Sequence, residues 1–402
     1  MGSTQRHEFL VGSAAALITS AQSAVPEREV RTGIVGIGTR GSNLLAQVLQ
    51  QPAVKVTAIC DTDAKARDAA QTAARRDNPR SFTDYRQVLE DDDVDAVFVA
   101  TPCYLHAEMA ATCLEAGKYV YCEKPVGITP DQVDRVLKAA ARSKTFLQIG
   151  QQLRYVQSLR DVIRKIQQDK VLGDTFVIKA QRHSTPVSAA AEQARPEWYK
   201  DVKRSGDLIV ENAVHNLDVC NWVADSHPVS AYGHGKKYFP NPIPAGTWMM
   251  DGFSVEYIYQ NDVHLDYSQL YMHTKLLTEL RGGQWYLVFG SKGTVNLTEG
   301  VFYPLEGSEP VQLLRPEDRG EKENATNSSM RVFGKTENPS LISRSLPQRL
   351  SRRFLGASYI QVTVCKLGRP GHKNIKLQGC SCAKKRVFRR RCGGPRCRRQ
   401  LD

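Results

Sequence analysis

A glycine triplet set between a strand and a helix constrains this 402-residue chain more than any other feature in it. Val30 to Gly36 reads as a buried strand, followed by Gly36-Ile37-Gly38-Thr39-Arg40-Gly41, and then Leu44, Leu45, Val48 and Leu49 recur at helical spacing. Gly36 permits the tight turn, Gly38 lets the backbone approach a pyrophosphate, and Gly41 allows close helix–strand packing. The pyrophosphate would rest on the unpaired N–H groups of the helix N-terminus. A second strand, Val54 to Cys60, ends at Asp61, 20 residues after Gly41. A carboxylate there accepts both adenosine ribose hydroxyls and repels a 2′-phosphate, which favours NAD, while Arg40 in the loop keeps NADP open. Gly36, Gly38, Thr39, Arg40, Gly41 and Asp61 are therefore the first candidate cofactor contacts.

Strands continue to alternate with helices. Asp95 to Ala100, Tyr119 to Cys122 and Phe146 to Gly150 read as strands, with helices at Glu108 to Ala116 and Gln132 to Ala141. That order predicts an α/β fold, a doubly wound parallel sheet of the Rossmann type over 30–150. From 151 to 330 the pattern changes. Asp174 to Arg182 reads as a strand and Leu208 to Val223 as a helix. Strand-like segments then follow near 229–235, 252–259, 263–271, 276–281, 285–289 and 293–297, with turns at Asn261-Asp262 and Gly282-Gly283. This second domain is expected to be α+β, with an open, mainly antiparallel sheet.

Charge separates the body of the chain from its tail. Residues 331–402 hold 19 Lys and Arg against Glu337 and Asp402, whereas residues 1–330 hold 36 basic and 40 acidic side chains. The net charge of +13 thus belongs to the tail, and the body gives no ground for a nucleic-acid partner. Cys60, Cys103, Cys113, Cys122 and Cys220 read as buried thiols, and five further cysteines crowd the tail. The segment 339–402 has no apolar periodicity. Its abrupt composition reads as a change of reading frame after about Asn338, ahead of a basic nucleic-acid arm or a zinc site at Cys380, Cys382, Cys392 and Cys397, whose spacing matches no common module. No metal site is expected elsewhere.

At the other end, residues 1–24 have the order of a signal peptide: Arg6-His7-Glu8-Phe9-Leu10, an apolar stretch to Ala21, then small residues to Ala24. It resembles a twin-arginine signal in which His7 replaces the second arginine. A working leader implies a periplasmic or secreted protein, and otherwise a cytoplasmic one. No apolar run is long enough to span a membrane.

Two further motifs stand at strand ends, where ligands bind in open α/β sheets: Thr101-Pro102-Cys103-Tyr104-Leu105-His106 and Glu123-Lys124-Pro125. Glu211 precedes His215 by four residues. With the glycine loop, these motifs make the chain resemble, over about 30 to 330, the glucose–fructose oxidoreductase, inositol dehydrogenase and rhizopine-catabolism (Gfo/Idh/MocA) family. The resemblance implies an NAD(P)-dependent oxidoreductase acting on a secondary hydroxyl of a sugar or cyclitol. It also implies a homo-oligomer built through the second domain's sheet. Thr101, Pro102, His106, Glu123, Lys124 and Arg154 would contact the cofactor. Lys124 would reach the nicotinamide ribose and the reacting hydroxyl, with His215 as general acid/base and Glu211, usually Asp in the family, orienting it.

On one helix Glu211 and His215 would share a face at i and i+4, and burial beside another cation would lower the lysine towards neutrality. Gln151 and Arg154 resemble the family's hinge residues, and Arg154, Tyr155, Trp198, Tyr199, Asn212 and Asn216 are candidate substrate contacts. Cleavage of glycosides by transient oxidation and elimination, which recycles the cofactor, is the alternative activity. A non-catalytic relative, degraded or binding nucleic acid through its tail, is the alternative from another class.

Overall fold

A computed structural model describes residues 29–186, 194–238, 249–274, 276–277, 282–307 and 309–314. The leader and the basic tail considered above lie outside the described residues.

The first sheet contains β1 (Val30–Val35), β2 (Val54–Cys60), β3 (Arg80–Phe82), β4 (Ala96–Val99), β5 (Tyr119–Cys122) and β6 (Leu147–Ile149). Their order is β3-β2-β1-β4-β5-β6, every pair parallel. Sequence order reverses between β1 and β4, and this switch point opens a crevice at the carboxyl ends of the strands. Helix α1 (Thr39–Val48) buries Leu44, Leu45 and Val48 against Ile34, Val56 and Ile59, each side chain contributing roughly 1.5–3 kcal/mol. Helices α2 (Ala64–Ala73) and α3 (Tyr85–Leu89) were not evident from periodicity. Only Ala70 of α2 is buried, and α3 is a turn and a half long, so neither presents an apolar stripe. Helix α4 (Cys103–Glu115) starts five residues earlier than its apolar pattern suggests, because Pro102 supplies the N-cap. Helix α5 (Pro130–Arg142) begins with the Thr129 side chain accepting from the Gln132 N–H and a proline in the first turn.

After α6 (Gln157–Gln167) comes the second sheet. It contains β7 (Thr175–His183), β8 (Pro228–Lys236), β9 (Gly252–Tyr259), β10 (His264–Leu270), β11 (Gly283–Gly290), β12 (Gly293–Asn296), β13 (Val301–Pro304) and β14 (Val311–Gln312). The order is β14-β13-β12-β11-β7-β10-β9-β8, antiparallel except for the β7–β10 pair. Of the strand expected at 276–281, residues 276–277 are not in a strand and 278–281 lie outside the described residues. Gly283, at φ +82°, opens β11. The sheet's inner face packs Ile178, Ala180, Leu265, Tyr267 and Val288 against α6 and the helical segment beyond β7. No helix among the described residues is long and apolar enough to cross a membrane.

The expected helix from Leu208 to Val223 is interrupted. Short helices α7 (Glu197–Lys200) and α8 (Val202–Ser205) precede α9 (Leu208–Glu211), and α10 (Val214–Ala224) begins only after a break at Asn212-Ala213. Glu211 and His215 therefore lie on different helices, and the i, i+4 geometry expected of them does not hold. The break frees the Glu211 carbonyl for another donor.

Candidate active site

The glycine loop has the shape a dinucleotide requires. Gly36 sits at φ +87°, and a Cβ there would meet the Ala100 and Thr101 backbone at 2.7–2.8 Å. A Cβ on Gly41 would overlap the Gly36 carbonyl oxygen far inside van der Waals contact, whereas one on Gly38 would meet nothing within 4 Å. Two glycines thus close the strand–loop–helix packing, and the third faces open space where a pyrophosphate can approach, at the start of α1. Asp61 stands at the end of β2, its carboxylate accepting from Ile37 N–H at 2.6 Å and Asp63 N–H at 2.9 Å. Arg40 turns away from it and donates to Glu123 at 2.7 Å. The side chain that kept NADP open is thereby engaged on the far side of the loop.

Glu123 is buried, and its Oε1 accepts from both Arg40 and the Tyr121 hydroxyl while Oε2 accepts from the Lys124 N–H. His106, also buried, has its two ring nitrogens 2.7 Å from the carbonyl oxygens of Pro125 and Thr101. It ties the Thr101-Pro102 loop to the Glu123-Lys124-Pro125 loop. That is the physical use of a histidine five residues after Thr101.

Lys124 reaches across to the other sheet's domain. Its Nζ donates to the Glu211 carboxylate at 2.6 Å and to the Glu211 carbonyl at 2.7 Å. Burial disfavours the ammonium most strongly, but the charge and hydrogen bond of Glu211, with Cys103 and Glu123, together outweigh it and hold the lysine above its ordinary range. The sequence expectation of a lysine lowered by a neighbouring cation is therefore incorrect, because the nearest charge is a carboxylate. Burial likewise disfavours the Glu211 carboxylate, yet Lys124 and a hydrogen bond from Tyr199 hold it below the usual range. His215 moves the other way. Burial, then the charges of Lys124, Arg182 and Arg40, push its imidazole well below the ordinary value, and its Nδ1 is buried without a hydrogen-bond partner among the described residues. The site thus presents an ammonium and a neutral imidazole together.

The remaining candidates divide. Tyr199 bonds Glu211 and stacks under Arg195, whose guanidinium is 4.5 Å from the ring centroid; Trp198 packs edge-on to Tyr199. Asn212 accepts from Gln269 Nε2 at 2.9 Å. Asn216 is fully buried, donating to the Tyr286 hydroxyl and accepting from Gln284 Nε2. Arg154 forms a two-pronged pair with Asp218 at 2.7 and 2.9 Å and lies over Trp222. Tyr155 lies near enough to Tyr121 to influence its hydroxyl. Thr101 donates its hydroxyl to Met109 Sδ, so its main-chain carbonyl, not its side chain, serves the loop. Gln151 is buried.

Sequence reasoning missed Arg182, Gln269 and Gln284. The available signal was a polar run at the end of β7 and β10, where the alternation places side chains on the buried face.

A parallel α/β domain with an open glycine cradle, joined to a sheet domain through Lys124 and Glu211, defines a two-domain dinucleotide-binding protein. The family model for an oxidoreductase family with an NAD-binding Rossmann fold matches residues 30–151, and that for the GFO/IDH/MocA C-terminal domain matches residues 161–296. The chain belongs to the GFO/IDH/MocA family, and NAD is its cofactor. Inositol 2-dehydrogenase of Salmonella typhimurium is 28% identical over 224 residues, 55% of this chain and 61% of that enzyme. A glycosyl hydrolase family 109 protein of Shewanella pealeana is 30% identical over 197 residues, 46% of this chain and 43% of the relative. The match thus spans about three fifths of the first relative's length and less than half of the second's. Among solved structures, an oxidoreductase domain protein from Kribbella flavida superposes with a TM-score of 0.71 at 19% identity, covering 88% of this chain and all of that one.

Proposed function

We propose that the protein is an NAD-dependent oxidoreductase that moves a hydride between a secondary hydroxyl of a sugar or cyclitol and the nicotinamide. The observation that carries this reading is the pairing of an ammonium, Lys124, with a neutral imidazole, His215, beside the cradle. When bound, NAD supplies the hydride acceptor. Lys124, held by the carboxylate and carbonyl of Glu211, donates a hydrogen bond to the reacting oxygen and steadies the negative charge that grows on it. His215 accepts the hydroxyl proton, for which a neutral ring is required. Glu211 and Tyr199 fix the lysine, while Gln269 and Gln284 fix Asn212 and Asn216 on either side of the histidine.

Cofactor content is the test. The purified protein should release NAD or NADH on denaturation or bind added NAD, and should form NADH with a polyol. A chain that neither carries nor binds NAD would overturn the reading. Similarity to glycosyl hydrolase family 109 proteins supports a second reading, glycoside cleavage through transient oxidation and elimination. NADH released in step with product excludes it. The exposed Tyr232 and Ile258 on the sheet's outer face support a homo-oligomer assembled through that face, to be checked by sedimentation.

A further inference from the structure

Three polar residues lie side by side on the inner face of the second sheet, where the alternation otherwise buries apolar side chains. Arg182 of β7 is in register with Gln269 of β10 on one side and Gln284 of β11 on the other. Both glutamines have defined tasks: Gln269 donates to Asn212 and Gln284 to Asn216, each at 2.9 Å. Those asparagines bracket His215. The middle member of the row therefore faces the segment that carries the imidazole, and its charge is felt there.

Three other cations of the site each have a carboxylate partner. Lys124 has Glu211, Arg40 has Glu123 and Arg154 has Asp218. Arg182 is part-buried, and its side chain has no hydrogen bond or ion pair among the described residues. A part-buried guanidinium with no carboxylate beside it keeps its charge uncompensated, and that charge weakens the neighbouring base. A hydroxyl-rich neutral substrate brings no counter-charge to that guanidinium. A planar fork of donors suits a carboxylate or phosphate.

Resting on the oxidoreductase reading of the same site, we propose that the substrate is an acidic sugar, with a carboxylate or phosphate group that Arg182 receives while the neighbouring hydroxyl faces Lys124 and His215. The arriving anion also offsets the positive charge that acts on the imidazole, so binding the right substrate restores the base.

The full chain loaded with NADH should be titrated calorimetrically with hexuronates, hexose 6-phosphates and the parent neutral hexoses. Either the uronates or the phosphates should bind at least about ten-fold tighter than the hexoses, and which group does so identifies the anion. Arg182→Gln should remove about 10- to 100-fold of that affinity and leave neutral hexoses unchanged, while Arg182→Lys, which keeps the charge, should retain part of it and controls for folding. Equal binding of acidic and neutral sugars by the unmodified protein, or equal weakening of both by Arg182→Gln, overturns the proposal. Acid binding that depends on Arg182 without NADH formation from any sugar would refute the oxidoreductase reading alone. Oxidation of neutral polyols with a KM indifferent to Arg182→Gln would refute this proposal alone.

Discussion

Replacing Glu211 by Gln isolates the charge on Lys124 without changing the shape of the site. The pair is 2.6 Å long, with side chains 16% and 10% exposed, so the lysine cannot regain water when its partner becomes neutral. Leaving a buried charge unpaired costs roughly 3–5 kcal/mol. The lysine has an escape, which is to lose its proton on folding. From a free value near 10.4, that costs about 4–5 kcal/mol at about pH 7, at ~1.36 kcal/mol per unit.

Either route predicts a loss of about 3–5 kcal/mol at neutrality, and they differ in pH dependence. In the wild type, Glu211 raises the folded-state value of Lys124. That contribution is fully present below the unfolded value, so the wild type gains nothing from this group between about pH 7 and 9. In Glu211→Gln the folded value is depressed by burial and the unfolded state binds more protons, so stability rises with pH. If the lysine folds neutral, the deficit shrinks by about 1.4 kcal/mol per pH unit. Urea denaturation of both proteins at about pH 7 and about pH 9 measures it. A deficit under about 1 kcal/mol at both values is what an exposed pair gives, and it would refute the buried clamp.

Further outcomes follow from the same geometry. Gly41→Ala should lower the unfolding midpoint sharply, because its methyl group meets the Gly36 carbonyl, whereas Gly38→Ala should keep the wild-type midpoint and lose NAD affinity about ten-fold or more, ~1.4 kcal/mol; calorimetry of both separates packing from binding. His215→Asn should cut kcat by about 10²–10⁴ with little change in thermal stability. The wild-type pH profile of kcat/KM should hold on its acid side through the ordinary histidine range near 6.5, since a depressed imidazole stays unprotonated as pH falls; a limb at or above that range would remove His215 as the base. Asp61→Ser should narrow the preference for NAD over NADP by about ten-fold or more, ~1.4 kcal/mol, read from the two dissociation constants.

The first sheet was legible because each strand is a short apolar run and the glycines fall at its turn, so periodicity and motif agree. What escaped notice there, α2 and α3, lacks an apolar stripe and is held by the side-chain caps of Asp63 and Asp84. Lys124, Glu211 and His215 could be named from their motifs, but the relation among them could not. The break at Asn212-Ala213 is a tertiary event, stabilised by Gln269 reaching Asn212 and by Lys124 reaching the freed Glu211 carbonyl. No local pattern encodes a partner 87 residues away. The lysine's ionisation was misjudged for the same reason, since its sign depends on which charge the fold brings closest. Arg182 went unnoticed because strand alternation marks a face and not what a polar side chain on that face confronts.

The place of β7 in its sheet affects how the molecule is made. It is first in chain order but central in space, with β10 on one edge and β11 on the other. Arg182 must wait for Gln269 and Gln284 to emerge before it has neighbours. At about 5–20 residues per second, a ribosome leaves β7 unpaired on both edges for roughly 4–16 seconds. Through that interval Ile178 and Ala180 have neither sheet partner nor complete core. Substitutions that make β7 more apolar would thus be expected to lower the yield of soluble chain more than the stability of the finished protein.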